Sequence, residues 1–397
     1  MSVSILPTDR GLRLGVGLLG ILIIAANLRV SFVSVGPLLE DISNDVGLSG
    51  AQAGLLTGLP LLAFALFSPL APGMARIAGL DRASWLSMFI LAVGIVLRSL
   101  ELPGMIWVGT VLIGAGIAFL NVLVPSLVKR QFPSRVSQVT GFYTSIQGAA
   151  AALGAAFVVP VAQVTPLGWR LSLGLWVGLA LVALAVLLPK TFRRESPPSA
   201  NDSRSRSARS PWRTLLGWQV TLFMGFQSLT YYVFGAWLPT IERTHGVSET
   251  TAGLHMALFL LVGMGASLGT GILMGRMADQ RIVGLTGSLL ALTAFLGLAL
   301  APDLMLLWVI SAALACGCLI VVALSLFSLR TDSPRQAARL SGMAQSGGYA
   351  IASVGPLAFG LLHDATGGFE LPLLLSAGCM VVLCLLAVLV GRSRTIG

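Results

Sequence analysis

Residues 14–35 read LGVGLLGILIIAANLRVSFVSV, an apolar run whose single charge is Arg29. Its length matches the ~20 residues that carry an α-helix across a bilayer. Arg29 then falls near mid-depth, where a guanidinium costs roughly 3 kcal/mol on insertion scales and on the order of 10 or more in simulations. A charge kept there faces a wet cavity or a partner. The stretch predicts a membrane helix and, within it, a cation that binds a solute.

Runs of the same kind recur along the whole chain. Of 397 residues, 56% are hydrophobic and 10% charged, and the mean hydropathy is +0.90. An ordinary soluble domain carries ~25% charged residues. No stretch is left for a sizeable soluble catalytic domain, and the runs are too long and uniform for barrel strands. The fold class expected is an all-α integral membrane protein with twelve transmembrane helices, near 14–35, 52–72, 84–101, 104–127, 137–161, 170–189, 215–239, 250–274, 283–301, 304–328, 340–362 and 371–391. The polar, Ser-rich, basic segment 191–213 reads as a linker between two six-helix bundles, 1–190 and 214–397.

The formal charge is +10, yet the basic residues are spread over short loops and so report topology, not nucleic-acid binding. If Arg10 and Arg13 lie in the cytoplasm, that side holds 21 of the 25 Lys and Arg residues, and only Arg98, Arg170 and Arg243 reach the outer ends. Both termini are therefore expected in the cytoplasm. The first span is too long for a signal-peptide core and reads as an uncleaved helix. Cys316, Cys318, Cys379 and Cys384 all fall within spans, which favours core packing over a disulfide or zinc framework. No Gly-x-x-x-x-Gly-Lys-Ser/Thr loop supports ATP-driven transport. The partners expected are a small solute and the bilayer, with no cofactor, no metal and no nucleic acid, and the chain is expected to act as a monomer.

The halves repeat weakly. Gly47-Leu48-Ser49 followed by Ala53-Gly54-Leu55 returns 199 residues later as Gly246-Val247-Ser248 followed by Ala252-Gly253-Leu254, and Pro133 with Gly141 returns as Pro334 with Gly342. A two-fold repeat of six helices resembles the major facilitator superfamily, whose central site lies between the halves.

Polar groups at mid-depth are the candidates for that site. Asn27 and Arg29 point about 200° apart on the first helix, so at most one faces the cavity squarely, and Arg29 is the choice. Gln227 and Tyr231 share a face of the seventh helix, with Tyr232 as the neighbouring alternative; Tyr143 and Gln147 pair likewise on the fifth, and Gln345 and Tyr349 on the eleventh. In the fourth helix Pro125 frees a carbonyl and permits a kink beside Asn121. The small residues of Gly148–Ala156 let helices approach closely. Apart from Glu101 at the very end of the third, no Asp or Glu falls within a predicted span, which favours a uniporter or anion exchanger. His255 is the one titratable group that would serve proton coupling.

NLRVSFVSVGPLL at 27–39, GLLTGLPLLAFALFSPLAP at 54–72, VLVPSLVKRQFP at 122–133, FQSLTYYVFGAWLPTI at 226–241 and LSGMAQSGGY at 340–349 resemble the cyanate permease and 2-nitroimidazole transporter family of bacteria. That family is a branch of the major facilitator superfamily, and the second stretch looks most like its 2-nitroimidazole side. The resemblance implies an inner-membrane carrier of small planar polar or anionic solutes, working by alternating access. Where the superfamily loop motif has an aspartate, Arg76 stands in PGMARIAGLDR, whereas GRMADQR keeps Asp279 between Arg276 and Arg281, expected as a charge latch or a helix cap. The alternatives are a broad-specificity drug exporter, for which membrane carboxylates are missing, and a receptor or scaffold without flux, which leaves the repeat and the buried arginine without a purpose.

Overall fold

The computed structural model describes residues 7–192 and 210–396, so most of the expected linker, 193–209, lies outside them. The first half comprises α1 (Pro7–Val33), α2 (Leu39–Val46), α3 (Gly50–Phe67), α4 (Ala71–Ala78), α5 (Leu80–Arg98), α6 (Met105–Gln131), α7 (Val136–Gln163), α8 (Gly168–Gly174) and α9 (Trp176–Thr191). The second comprises α10 (Leu215–Thr244), α11 (Glu249–Met274), α12 (Arg281–Leu300), α13 (Met305–Leu329), α14 (Pro334–Thr366) and α15 (Glu370–Val390). With α3 and α4 forming one crossing and α8 and α9 another, the helices make twelve crossings, and no strand occurs among the described residues. Ten of the crossings are long and apolar enough to span a bilayer by composition alone. The other two, α10 and α14, carry the polar faces that wall the central cavity.

The sequence repeat is a structural one. Gly47 and Gly246 both take left-handed backbone, at φ 72° and 82°, and each is followed two residues later by a serine that caps a helix. Ser49 closes a capping box with Gln52, and Ser248 accepts from the Thr251 amide. These caps satisfy helix-end amides that lipid cannot.

Contacts between the halves gather at one face. The start of α1 and the end of α9 meet there through Lys190 Nζ donating to the Val16 carbonyl, and the C-terminal segment joins the end of α13 where the Ile396 amide donates to the Arg330 carbonyl. On this terminus-bearing side α7 crosses α11 backbone to backbone. A Cβ added to Gly141 would lie 2.8 Å from Gly271 Cα, and one added to Gly342, its repeat mate, would lie 3.0 Å from Pro72 Cγ. Ser328 Oγ donates to the Pro125 carbonyl at 2.9 Å, Ser346 Oγ to the Ala65 carbonyl at 2.7 Å, and Ser145 Oγ to the Met264 carbonyl at 3.0 Å. Lys129 Nζ donates to the carbonyls of Ser328, at 2.6 Å, and Thr331. Among the described residues, no side-chain hydrogen bond or ion pair joins the halves at the opposite face. The molecule is closed where its termini lie.

The seam depends on absent side chains. Gly141→Val is expected to wedge α7 from α11 while each bundle still folds. In a cysteine-free background, Ser328→Cys should then react at least tenfold faster with a water-soluble maleimide than it does with Gly141 intact. Equal rates would show that the seam tolerates the wedge.

Candidate functional site

Between the halves, level with Arg29, lies a cavity of about 100 Å³ whose lining includes Arg29, Gln147, Gln227, Tyr231, Tyr232 and Tyr349. A smaller space of about 20 Å³ adjoins it beside Arg29, Phe32, Phe64 and Asn121. Arg29 is set by α1, which packs on α7 where the missing Cβ of Gly154 lets Val30 approach. Its guanidinium lies 5.3 Å from the centroid of the Tyr231 ring, and no carboxylate pairs with it among the described residues. A desolvated cation over an aromatic face is worth about 2 kcal/mol. The Tyr231 ring is itself held edge-on by Tyr232, at 5.4 Å, and against Phe259, at 6.3 Å. Three of the chain's four tyrosines, Tyr231, Tyr232 and Tyr349, line the cavity, and Tyr349 lines the smaller space as well.

Gln227 and Tyr231 form one wall, as their spacing requires, and Gln147 lines both spaces. The Gln227 amide is oriented by donating to the Ser228 hydroxyl at 2.7 Å and to the Met224 carbonyl at 3.2 Å. Three expected residues are placed elsewhere. Asn27 is fully buried away from the cavity, its Nδ2 donating to the Ile23 and Leu179 carbonyls, so it ties α1 to α9. Tyr143 is buried in the packing behind the lining rather than in it. Gln345 is wholly buried, and its Nε2 donates at 2.8 Å to the Asn121 carbonyl of the other half. That carbonyl is the one Pro125 leaves without its helical donor. The proline and the glutamine together build a clamp between α6 and α14.

The expected latch also differs. Asp279 accepts from the amide and the guanidinium of Arg281 in its own loop, which holds its carboxyl below the usual carboxylate range, and Arg276 is exposed. None of the three bridges the halves; Asp279 accepts from the first amide of α12, whose N-cap is Gln280, and Lys129 makes the bridging contact that sequence reasoning missed. A second miss concerns acids. The seventh span does not end at Pro239, because a membrane helix passes through proline when neighbours satisfy the freed groups. Glu242, three residues on, is fully buried, and its Oε1 lies within hydrogen-bond distance of His255 Nδ1, at 2.8 Å. The cysteines are free, with Cys316 on the cavity wall.

Comparisons with known proteins agree with this architecture. The chain is 41% identical over 377 residues, 95% of each protein, to the 2-nitroimidazole transporter of Escherichia coli (strain K12). It is 37% identical over 379 residues, 95% of this chain and 94% of the other, to the uncharacterized transporter YycB of Bacillus subtilis (strain 168). The fold matches that of the proton:xylose symporter XylE with a TM-score of 0.81 at 12% identity, over 96% of this chain and 97% of that one. The Major Facilitator Superfamily model matches residues 18–329 and 220–395. A multi-pass bundle of two similar halves around a polar central cavity is thus placed by fold and by sequence alike: the chain belongs to the major facilitator superfamily of secondary transporters.

Proposed function

We propose that the protein is an alternating-access carrier of small planar polar or anionic solutes, of the 2-nitroimidazole or cyanate kind, in the bacterial inner membrane with both termini cytoplasmic. The observation that carries this is a guanidinium at mid-depth, open to a cavity and without a carboxylate partner. Its planar fork of donors matches a nitro, carboxylate or cyanate group, and the tyrosines offer rings to cover a heterocycle. The cavity of about 100 Å³ is several times the 10–15 Å³ that one water needs and accommodates a small planar ring. The match to the 2-nitroimidazole transporter, and a 27% match over 374 residues to the cyanate transport protein CynX of Escherichia coli, support the same solute class. With cytoplasmic termini, the closed face is the inner one, so solute reaches Arg29 from outside in this conformation.

In this reading Arg29 anchors the solute, with Gln227, Tyr231, Gln147 and Tyr349 completing the wall and Asn121 at its inner edge. Arg29→Ala should insert normally and lose nearly all uptake of labelled 2-nitroimidazole into proteoliposomes, whereas Arg29→Lys should retain a fraction because charge remains without the fork. Full transport by a well-folded Arg29→Ala protein would remove the anchor role.

The Glu242–His255 pair supplies the titratable element for proton coupling. The pair is one helical turn beyond Phe259 on α11, outside the solute contacts. His255→Gln and Glu242→Gln are expected to keep solute exchange at equilibrium while losing accumulation driven by an imposed pH gradient. Gradient-driven accumulation that survives both substitutions would place coupling elsewhere.

A further inference from the structure

The turn between α13 and α14, residues 330–333, carries one of the two carbonyls that Lys129 reaches from the first half, that of Thr331. In so short a turn a carbonyl points where its flanking residues fix it. Both flanking residues are tied to the C-terminal segment. The Arg330 carbonyl accepts from the Ile396 amide at 2.9 Å, the Ile396 carbonyl accepts from Gln336 Nε2, and Gln336 Oε1 accepts from the Asp332 amide at 2.9 Å. These bonds close a ring around Thr331, and Ile396 is the member that comes from outside the turn and the start of α14.

The ring is built into the protein rather than laid on its surface. Arg330, Thr331, Gln336 and Ile396 are each no more than 4% exposed, and the Ile396 side chain belongs to the main apolar core. The other end of the segment is also held, because Arg330 Nε and Nη2 donate to the Val390 and Gly391 carbonyls at 2.8 and 2.9 Å, where α15 ends. Between these anchors residues 392–395 are exposed. A segment buried only at its ends is released by freeing one of them, with no helix unpacked. Every member of the ring lies in the second half, and its link to the first is the Thr331 carbonyl on Lys129.

We propose that residues 391–396 form a strap on the closed face. With Ile396 docked, the turn presents the Thr331 carbonyl to Lys129 and the seam stays shut; with Ile396 out, the turn loosens and the face opens more readily. The reason is the chemistry of an ammonium group, a compact and strongly hydrated charge that leaves water only where acceptors are fixed to receive it. An acceptor that wanders with a loose turn leaves Lys129 short of a partner, and the balance moves toward the parted seam, where water supplies one. The strap acts on the closed face alone, whatever solute Arg29 receives.

A reporter on other helices reads the seam. Ser137 is 5% exposed at the crossing of α7 and α11, where a Cβ added to Gly271 would lie 2.8 Å from the Ser137 carbonyl. In the purified full chain, made cysteine-free and carrying Ser137→Cys, Ile396→Asp is expected to speed reaction with a water-soluble maleimide at least fivefold, since the carboxylate will not stay in the apolar core. Gln336→Leu breaks the same ring without adding a charge; it should act likewise, and it decides the matter if the aspartate variant misfolds. Lys129→Met should also raise the rate, and adding Ile396→Asp to it should raise it no further, because the strap works through Lys129. Parent-like rates in folded Ile396→Asp or Gln336→Leu would overturn the strap. Rates that multiply in the double variant would overturn it as well, since the segment would then be packing that acts independently of Lys129.

Discussion

A cation at mid-membrane depth with no carboxylate beside it is the constraint around which the rest is arranged. Its cost is several kcal/mol at least, so such a group persists where rings, dipoles and a wet cavity receive it. Tyr231 lies under the Arg29 guanidinium, and Tyr232, Phe259 and Phe234 hold that ring in place by a chain of edge and face contacts. An acid at this position would neutralise Arg29 permanently and leave nothing for an anionic solute to do. In the proposed carrier, the absence of one from the lining leaves the guanidinium available to an anionic solute.

The second constraint is that two bundles must meet closely and also part. Helix seams in lipid lack a hydrophobic drive and depend on close packing and polar contacts. Here the seam at the terminus-bearing face uses both. Gly141 and Gly271 remove side chains where backbones cross, and Ser145, Ser328, Ser346, Lys129 and Gln345 donate to backbone carbonyls of the opposite half. These bonds are individually modest, about 1 kcal/mol for neutral donors, and can be exchanged for water as the face opens. A seam built from many weak contacts suits a molecule that has two states.

Much of this was legible in the residues. The apolar runs gave the twelve crossings, and the repeat of Gly47-Leu48-Ser49 at Gly246-Val247-Ser248 located equivalent turns, because left-handed backbone and a serine cap require those residue types. The face shared by Gln227 and Tyr231 followed from helical spacing. What spacing does not give is the direction of a face relative to its neighbours. Tyr143 and Gln345 belong to the same kind of pair, yet one packs behind the lining and the other clamps a carbonyl that a proline on another helix had freed. Lys129 looked like a topology signal, since its partners are backbone atoms 199 and 202 residues away and carry no sequence signature. Glu242 was placed outside the seventh span because Pro239 reads as a helix end in water, whereas in a bundle the helix runs on.

The most direct test of the role of Arg29 is a density map of the purified chain with 2-nitroimidazole bound. The expected result is ligand density in the central cavity, with the nitro oxygens ~3 Å from the Arg29 guanidinium and the ring against Tyr231. Ligand bound away from Arg29, or an Arg29 side chain turned onto protein carbonyls while ligand occupies the cavity, would contradict the account.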